Sequence, residues 1–192
     1  ATFAPPVNYA FGTSPVSIST TDFNNDGRLD LAIANNFSQS YSVFFGTGLG
    51  TFVSGAWGSL GSMMPSSISN GDFNGDNKKD LVIAGTNSSV AVIFGSGTGS
   101  FGAPVYFATG TGPCAVITGD FNADTKTDIA TANINGNNVS ILLGSGTGTF
   151  AAPANYSVGT NPIDIRSADF NGDGNLDLAV INQGSANMSI LI

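Results

Sequence analysis

Histidine and glutamate are absent from this chain of 192 residues, cysteine occurs once, and Lys and Arg together number five. Each shortage narrows the function. Without histidine or glutamate the usual acid–base residues are missing, which argues against an enzyme. The lone Cys114 permits no intrachain disulfide, and its setting, Pro113-Cys114-Ala115-Val116, reads as a buried small residue rather than a catalytic thiol. Five unclustered cations make nucleic acid a poor partner. No run reaches the roughly 18 apolar residues of a spanning helix, so no membrane insertion is expected. No signal peptide is visible, and a chain that opens at Ala1 rather than Met is readable as a mature or excised piece.

Charge is scarce too, at 9% of residues against roughly 25% in an average globular chain. The surface must therefore be Ser, Thr, Asn and Gly, a composition suited to an extracellular or cell-surface protein. With no glutamate, all 13 acids are Asp, and all but Asp164 fall into four clusters. Such crowding is costly unless cations neutralise it. Four divalent ions would cancel the formal charge of −8, so the acidity reads as a metal requirement.

The clusters recur at a period near 49 residues, centred on residues 22–30, 72–80, 120–128 and 169–177 of a single repeat domain spanning 1–192. They read Asp22-Phe-Asn-Asn-Asp-Gly-Arg-Leu-Asp30, Asp72-Phe-Asn-Gly-Asp-Asn-Lys-Lys-Asp80, Asp120-Phe-Asn-Ala-Asp-Thr-Lys-Thr-Asp128 and Asp169-Phe-Asn-Gly-Asp-Gly-Asn-Leu-Asp177. A proline stands seven residues before each, at Pro15, Pro65, Pro113 and Pro162. Short β-rich runs bounded by Gly, Asn or Ser surround them, and no helical stripe is present. Each unit is expected to run strand, Asp loop, strand, Asn/Ser turn, strand, Gly-rich connector, strand. The connectors, such as Gly95-Ser-Gly-Thr-Gly-Ser-Phe101, lack the Lys and helix of a phosphate loop and read as turns.

Four strands per unit at this period predict an all-β propeller of four four-stranded blades. The opening text, Thr2-Phe-Ala-Pro-Pro-Val-Asn-Tyr9, matches the fourth strand at Thr149-Phe-Ala-Ala-Pro-Ala-Asn-Tyr156, and the chain stops after a third strand at Ser189-Ile-Leu-Ile192. The N-terminal strand is therefore expected to complete the last blade and hide its edge.

Within each cluster, positions 1, 3, 5 and 9 are Asp, Asn, Asp and Asp. Hard oxygen donors at alternate positions, a carbonyl at position 7 and a preferred Gly at position 6 are the start of a calcium loop. The side-chain ligands are then Asp22, Asn24, Asp26 and Asp30; Asp72, Asn74, Asp76 and Asp80; Asp120, Asn122, Asp124 and Asp128; and Asp169, Asn171, Asp173 and Asp177. Asx turns alone would also use Asp and Asn, but need one such residue rather than four. Asn77 at position 6 tolerates a left-handed backbone; Thr125 is expected to resist it.

This pattern resembles the FG-GAP, or VCBS, repeat of integrin α-subunit propellers and many bacterial surface proteins, with the naming residues at Phe101-Gly102-Ala103-Pro104. The resemblance implies Ca²⁺ in the first hairpin loop of each blade, about four ions per chain. It also implies position-7 carbonyls from Arg28, Lys78, Lys126 and Asn175. That family usually has seven blades. Four blades leave three closures: a ring of four, a homodimer forming a ring of eight, or a fragment of a longer propeller.

Near-identical loops look like fold staples, since catalysis generally breaks symmetry at one place. Symmetry breaks at Asp164 and Arg166, read as an ion pair on an inner strand, and at Trp57, read as packing between blades. The expected role is adhesion or protein binding with structural calcium. A lectin with sugars bound between blades is the alternative, and an accessory domain of a secreted enzyme comes third.

Overall fold

Four antiparallel sheets, one per repeat, and no helix make up the computed structural model, which describes residues 2–192. The first sheet contains β1 (Pro15–Thr21), β2 (Asp30–Asn35), β3 (Ser40–Gly46) and β4 (Phe52–Ser59). The second contains β5 (Pro65–Gly71), β6 (Asp80–Gly85), β7 (Ser89–Ile93) and β8 (Val105–Ala108). The third contains β9 (Pro113–Gly119), β10 (Asp128–Asn133), β11 (Asn138–Leu142) and β12 (Ala154–Ser157). The fourth has only β13 (Pro162–Ala168), β14 (Asp177–Asn182) and β15 (Asn187–Leu191). Within each sheet the strands lie side by side in chain order.

The recurring proline opens the first strand of every sheet, where the register slips beside it: Pro15/Ser17, Pro65/Ser67, Pro162/Asp164 and, opposite Pro113, Ala132/Asn133. A bulge at a strand end tolerates a residue with no N–H to donate. The second strands are apolar on both faces because each middle sheet is sandwiched: all six residues of β6 and of β10 are buried. Three cores result, one per gap between successive sheets. Ala34 and Val43 meet Ile68 and Ile83; Ala84 and Val92 meet Val116 and Ile129; Ala132 and Ile141 meet Ile165 and Leu178. The first strands pack in series, β1 on β5, β5 on β9 and β9 on β13. Four sheets share three cores, so the array is an arc.

The expected completion of the last blade is not found. Residues 2–11 form no strand, and the fourth sheet has three strands rather than four. Tyr9 and Phe11 instead pack edge-on against Phe44, at 6.2 and 5.7 Å between ring centroids, and the Tyr9 hydroxyl accepts the Phe52 N–H at 3.1 Å. The N-terminal segment is held by the first sheet, at the opposite end of the arc from β15.

At the sheet ends away from the Asp loops, Asn35, Asn133 and Asn182 are buried. The Asn133 amide donates to Asn138 Oδ1 and Ser140 Oγ, and its carbonyl accepts from Thr131 Oγ1 at 3.0 Å. The second sheet has Gly85 and Ala91 at the matching places, and Met63 fills the room. Ile33 and Val180 replace Thr131 in the outer sheets, which is why Asn35 Oδ1 and Asn182 Oδ1 have no partner. Thr131→Val should orphan Asn133 Oδ1 in the same way and lower stability by about 1–3 kcal/mol in urea unfolding.

Candidate metal-binding loops

The loop joining the first and second strands is built the same way in each sheet. At position 1, Asp22, Asp72, Asp120 and Asp169 each accept the N–H of positions 5 and 6, as in Asp22 Oδ2 to Gly27 N at 2.7 Å. At position 3, Asn24, Asn74, Asn122 and Asn171 accept the position-5 N–H at 2.8–3.1 Å. At position 5, Asp26, Asp76, Asp124 and Asp173 accept the N–H of Arg28, Lys78, Lys126 and Asn175. These are Asx turns in series. Each such bond occupies a single lone pair, and a carboxylate has about four.

Position 9 differs. Asp30, Asp80 and Asp128 are fully buried, and Asp177 nearly so. Their Oδ2 atoms accept the N–H of Phe23, Phe73, Phe121 and Phe170, each at 2.9 Å. Their Oδ1 atoms accept the N–H of Gly46, Gly95 and Gly144 at 2.7–2.8 Å in the first three sheets. A Cβ on any of these glycines would strike the carbonyl oxygen of Leu29, Lys79 or Thr127. Motif reading missed these glycines as part of the loop. The available signal was their spacing, a Gly 15 or 16 residues after the last Asp of each complete repeat.

Positions 4 and 6 both take positive φ in every loop: Asn25 and Gly27, Gly75 and Asn77, Ala123 and Thr125, Gly172 and Gly174. Thr125 does not escape the left-handed backbone; it adopts φ 68°. The third loop therefore carries two strained residues, Ala123 and Thr125, held there by the same carboxylates that shape the other loops.

The electrostatics suit a cation. Burial pushes the Asp80 carboxyl up to about 6; the N–H groups of Phe73 and Gly95 oppose this, and the charges of Asp76 and Asp72 add to it. Asp128 is raised for the same reasons, burial first. A divalent ion would relieve this mutual repulsion, and oxygen donors alone fit Ca²⁺ better than softer metals. Among the described residues, however, no three carboxylates converge into a ready-made centre. The position-5 carboxylates turn partly to the position-7 cations instead: Asp76 to Lys78 at 3.3 Å, Asp124 to Lys126 at 3.2 Å and Asp26 to Arg28 at 3.8 Å. Exposed pairs of this kind contribute only about 0–1 kcal/mol, a weak competitor for an ion.

The Gly-rich connectors of the second and third sheets close over the loops of the first and second. Gly148 donates to the Phe73 carbonyl at 2.9 Å, and Gly97 sits against Asn25. The loops and connectors thus share one edge of the arc. Elsewhere, Arg166 pairs with Asp164 at 2.7 Å on β13, as expected. Trp57 is 66% exposed on β4, so it does not pack between sheets. Cys114 is half-buried, donates to the carbonyls of Ala132 and Pro162, and has its thiol pKa raised by burial.

A profile of the FG-GAP-like repeat matches residues 22–83, 72–131 and 120–180. The chain belongs to this family. Each match begins on an Asp loop and runs into the second strand of the next sheet, so the FG-GAP repeat is the unit that packs here. No curated protein matches the chain. Among solved structures, a chain from the crystal structure of BBS1N in complex with ARL6DN, soaked with lead, aligns with a TM-score of 0.63 and 16% identity, covering 94% of this chain and 57% of that one. A mercury-soaked crystal gives 0.64 and 15%, over 94% and 55%. An Agrocybe aegerita lectin, described for recognition of non-reducing terminal N-acetylglucosamine, gives 0.59 and 18%, over 89% and 50%. The chain spans between half and three-fifths of the length of these structures. At such identities the likeness is one of fold, and that fold is propeller-like.

Asp128→Ala should leave the N–H groups of Phe121 and Gly144 without acceptors and cost about 2–4 kcal/mol, read by chemical unfolding. Thr125→Gly should act the other way, raising stability by about 0.5–1 kcal/mol as relief of the left-handed strain outweighs the entropy of glycine.

Proposed function

We propose that this chain is a calcium-stabilised binding module of an extracellular or cell-surface protein, its four sheets acting as propeller blades that present a protein-binding surface. The observation that carries the reading is the loop edge. Four Asp loops of one design line it, each with a buried carboxylate at position 9 and oxygen donors nearer the surface at positions 1, 3 and 5. Bound Ca²⁺ would supply charge neutralisation there, held by the Asp and Asn side chains of each loop and the position-7 carbonyls. The chain's own residues already fix the loop path and, in the first three sheets, tie it to the end of the third strand. The ion's role is therefore structural, and the reading is non-enzymatic: the loops repeat, and the one thiol is half-buried with a raised pKa.

A protein partner is favoured by the repeated loop edge, which presents four copies of one charged motif side by side, and by the BBS1N–ARL6DN complex among the structural neighbours. A glycan is the second reading. It is supported by the lectin neighbour and by Trp57, an exposed aromatic able to stack on a sugar.

Thermal unfolding in chelator and again in excess Ca²⁺ tests the metal. A site with a dissociation constant about a hundredfold below the free calcium adds about 2.7 kcal/mol, so several should raise Tm by many degrees. An unchanged Tm would overturn the calcium reading. Because Trp57 is the only tryptophan, its fluorescence reports on the glycan reading. N-acetylglucosamine and short oligosaccharides should leave it unchanged, whereas a saturable change would replace the protein partner with a sugar.

A further inference from the structure

The two ends of the arc expose the two halves of one repeated interface. The residue that β5, β9 and β13 bury against the preceding sheet is Ile68, Val116 and Ile165, at 5%, 5% and 0% exposure; its counterpart on β1, Ile18, is 58% exposed. The other end mirrors this. Ala34, Ala84 and Ala132 are fully buried by the next sheet, while Ile181 in the same register on β14 is 51% exposed. Tyr41, Val90 and Val139 are likewise buried, at 3%, 0% and 0%, while Met188 on β15 is 64% exposed. A sheet that ends this array thus shows the face that its relatives within the array cover.

A cleft beside β15 identifies what is missing. Phe101, at the end of the connector before β8, packs edge-on against Phe23 and Tyr41, and Phe150, at the matching place before β12, packs against Phe73 and Phe107. The matching position between the third and fourth sheets is a cleft of about 490 Å³, lined by Phe121, Tyr156, Leu178 and Leu191 among others. Phe121 corresponds to Phe73, and Tyr156 to Phe107. Among the described residues the fourth sheet has no fourth strand to fill it. The sequence holds one further copy of that strand, Thr2–Tyr9, whose Phe3 stands where Phe101 and Phe150 stand in their repeats. Phe3 is fully exposed, and its segment lies unpaired at the far end of the arc.

We propose that a second copy of this chain closes the ring: residues 2–9 of each copy pair along β15 of the other, Phe3 enters the cleft beside Phe121 and Tyr156, and Ile18 covers Ile181 and Met188. The contact is head-to-tail, and two arcs used reciprocally make a closed assembly of eight sheets without free edges. The strand that the fourth sheet lacks is supplied in trans, by text nearly identical to β12 and the residues before it. Of the Asp loop ligands only Asn122 borders the cleft, and Phe3, Ile18, Ile181 and Met188 all lie outside the loops, so sedimentation tests this interface separately from the calcium-dependent Tm.

Sedimentation velocity of the 192-residue chain in calcium-containing buffer should give a single species of about twice the 19.4 kDa chain mass. Met188→Lys places a charge on a side chain already exposed in the single copy, so it should yield a folded monomer with unchanged far-ultraviolet circular dichroism. Phe3→Ala should weaken dimerisation by at least about tenfold. A wild-type chain that sediments as a monomer at every concentration would overturn the proposal, whether the arc stays open or closes on itself. So would open-ended growth beyond two copies, or a dimer indifferent to both substitutions.

Discussion

A buried carboxylate that accepts two backbone N–H groups is the joint on which each complete repeat turns. Asp30 ties the N–H of Phe23, at the start of the loop, to the N–H of Gly46, at the end of β3. One side chain thereby fixes the entry to the loop, the first residue of the second strand and the exit of the third. Its influence reaches the neighbouring sheet. Phe23 and Phe73 are held where the next sheet's Phe101 and Phe150 meet them edge-on, so loop geometry becomes core packing between sheets. The fourth sheet has only half of the joint: Asp177 accepts the Phe170 N–H, but among the described residues no glycine N–H donates to its other oxygen. Phe170 is 51% exposed, whereas Phe23 and Phe73 are buried at 1%.

Burying that carboxylate has an electrostatic cost, and the cost explains the rest of the loop. Asp80 is pushed up to about 6 by burial, with Asp72 and Asp76 adding to the effect. A cation would turn this repulsion into attraction without altering the backbone path, since Asx turns already draw that path. The repeated Asp-Asn-Asp-Asp pattern thus serves two purposes in one sequence. It shapes the loop through hydrogen bonds, and under the proposed reading its remaining lone pairs would hold an ion.

Much of this was legible in the residues. The repeat boundaries, the all-β class, the strand order and the Asp loops come from local text, because turn residues and short β-rich runs act over a few positions. The ion pair of Asp164 and Arg166 was legible too, since residues two apart on a strand share a face. The glycines at 46, 95 and 144 were harder to read. Their role depends on a carbonyl contact across the sheet, and only their near-constant distance from the Asp hinted at it. Thr125 marks a different failure: a propensity argument disfavoured its left-handed backbone, and the loop's carboxylates imposed it regardless.

The amino-acid sequence by itself determined the unit, because the hydrogen-bonded ladder and apolar faces that build one sheet lie within about fifty residues, a span set by the repeat. Tertiary structure decided how the array ends. The text of Thr2–Tyr9 is that of a fourth strand, and pattern alone assigned it to the fourth sheet. In the fold, the stacking of four sheets face to face leaves β15 at the other end of the arc from that segment, and Tyr9 and Phe11 settle against Phe44 instead. Trp57 was misplaced for the same reason. Which side of an outer strand meets a neighbour depends on how sheets stack, and stacking is a property of the whole array.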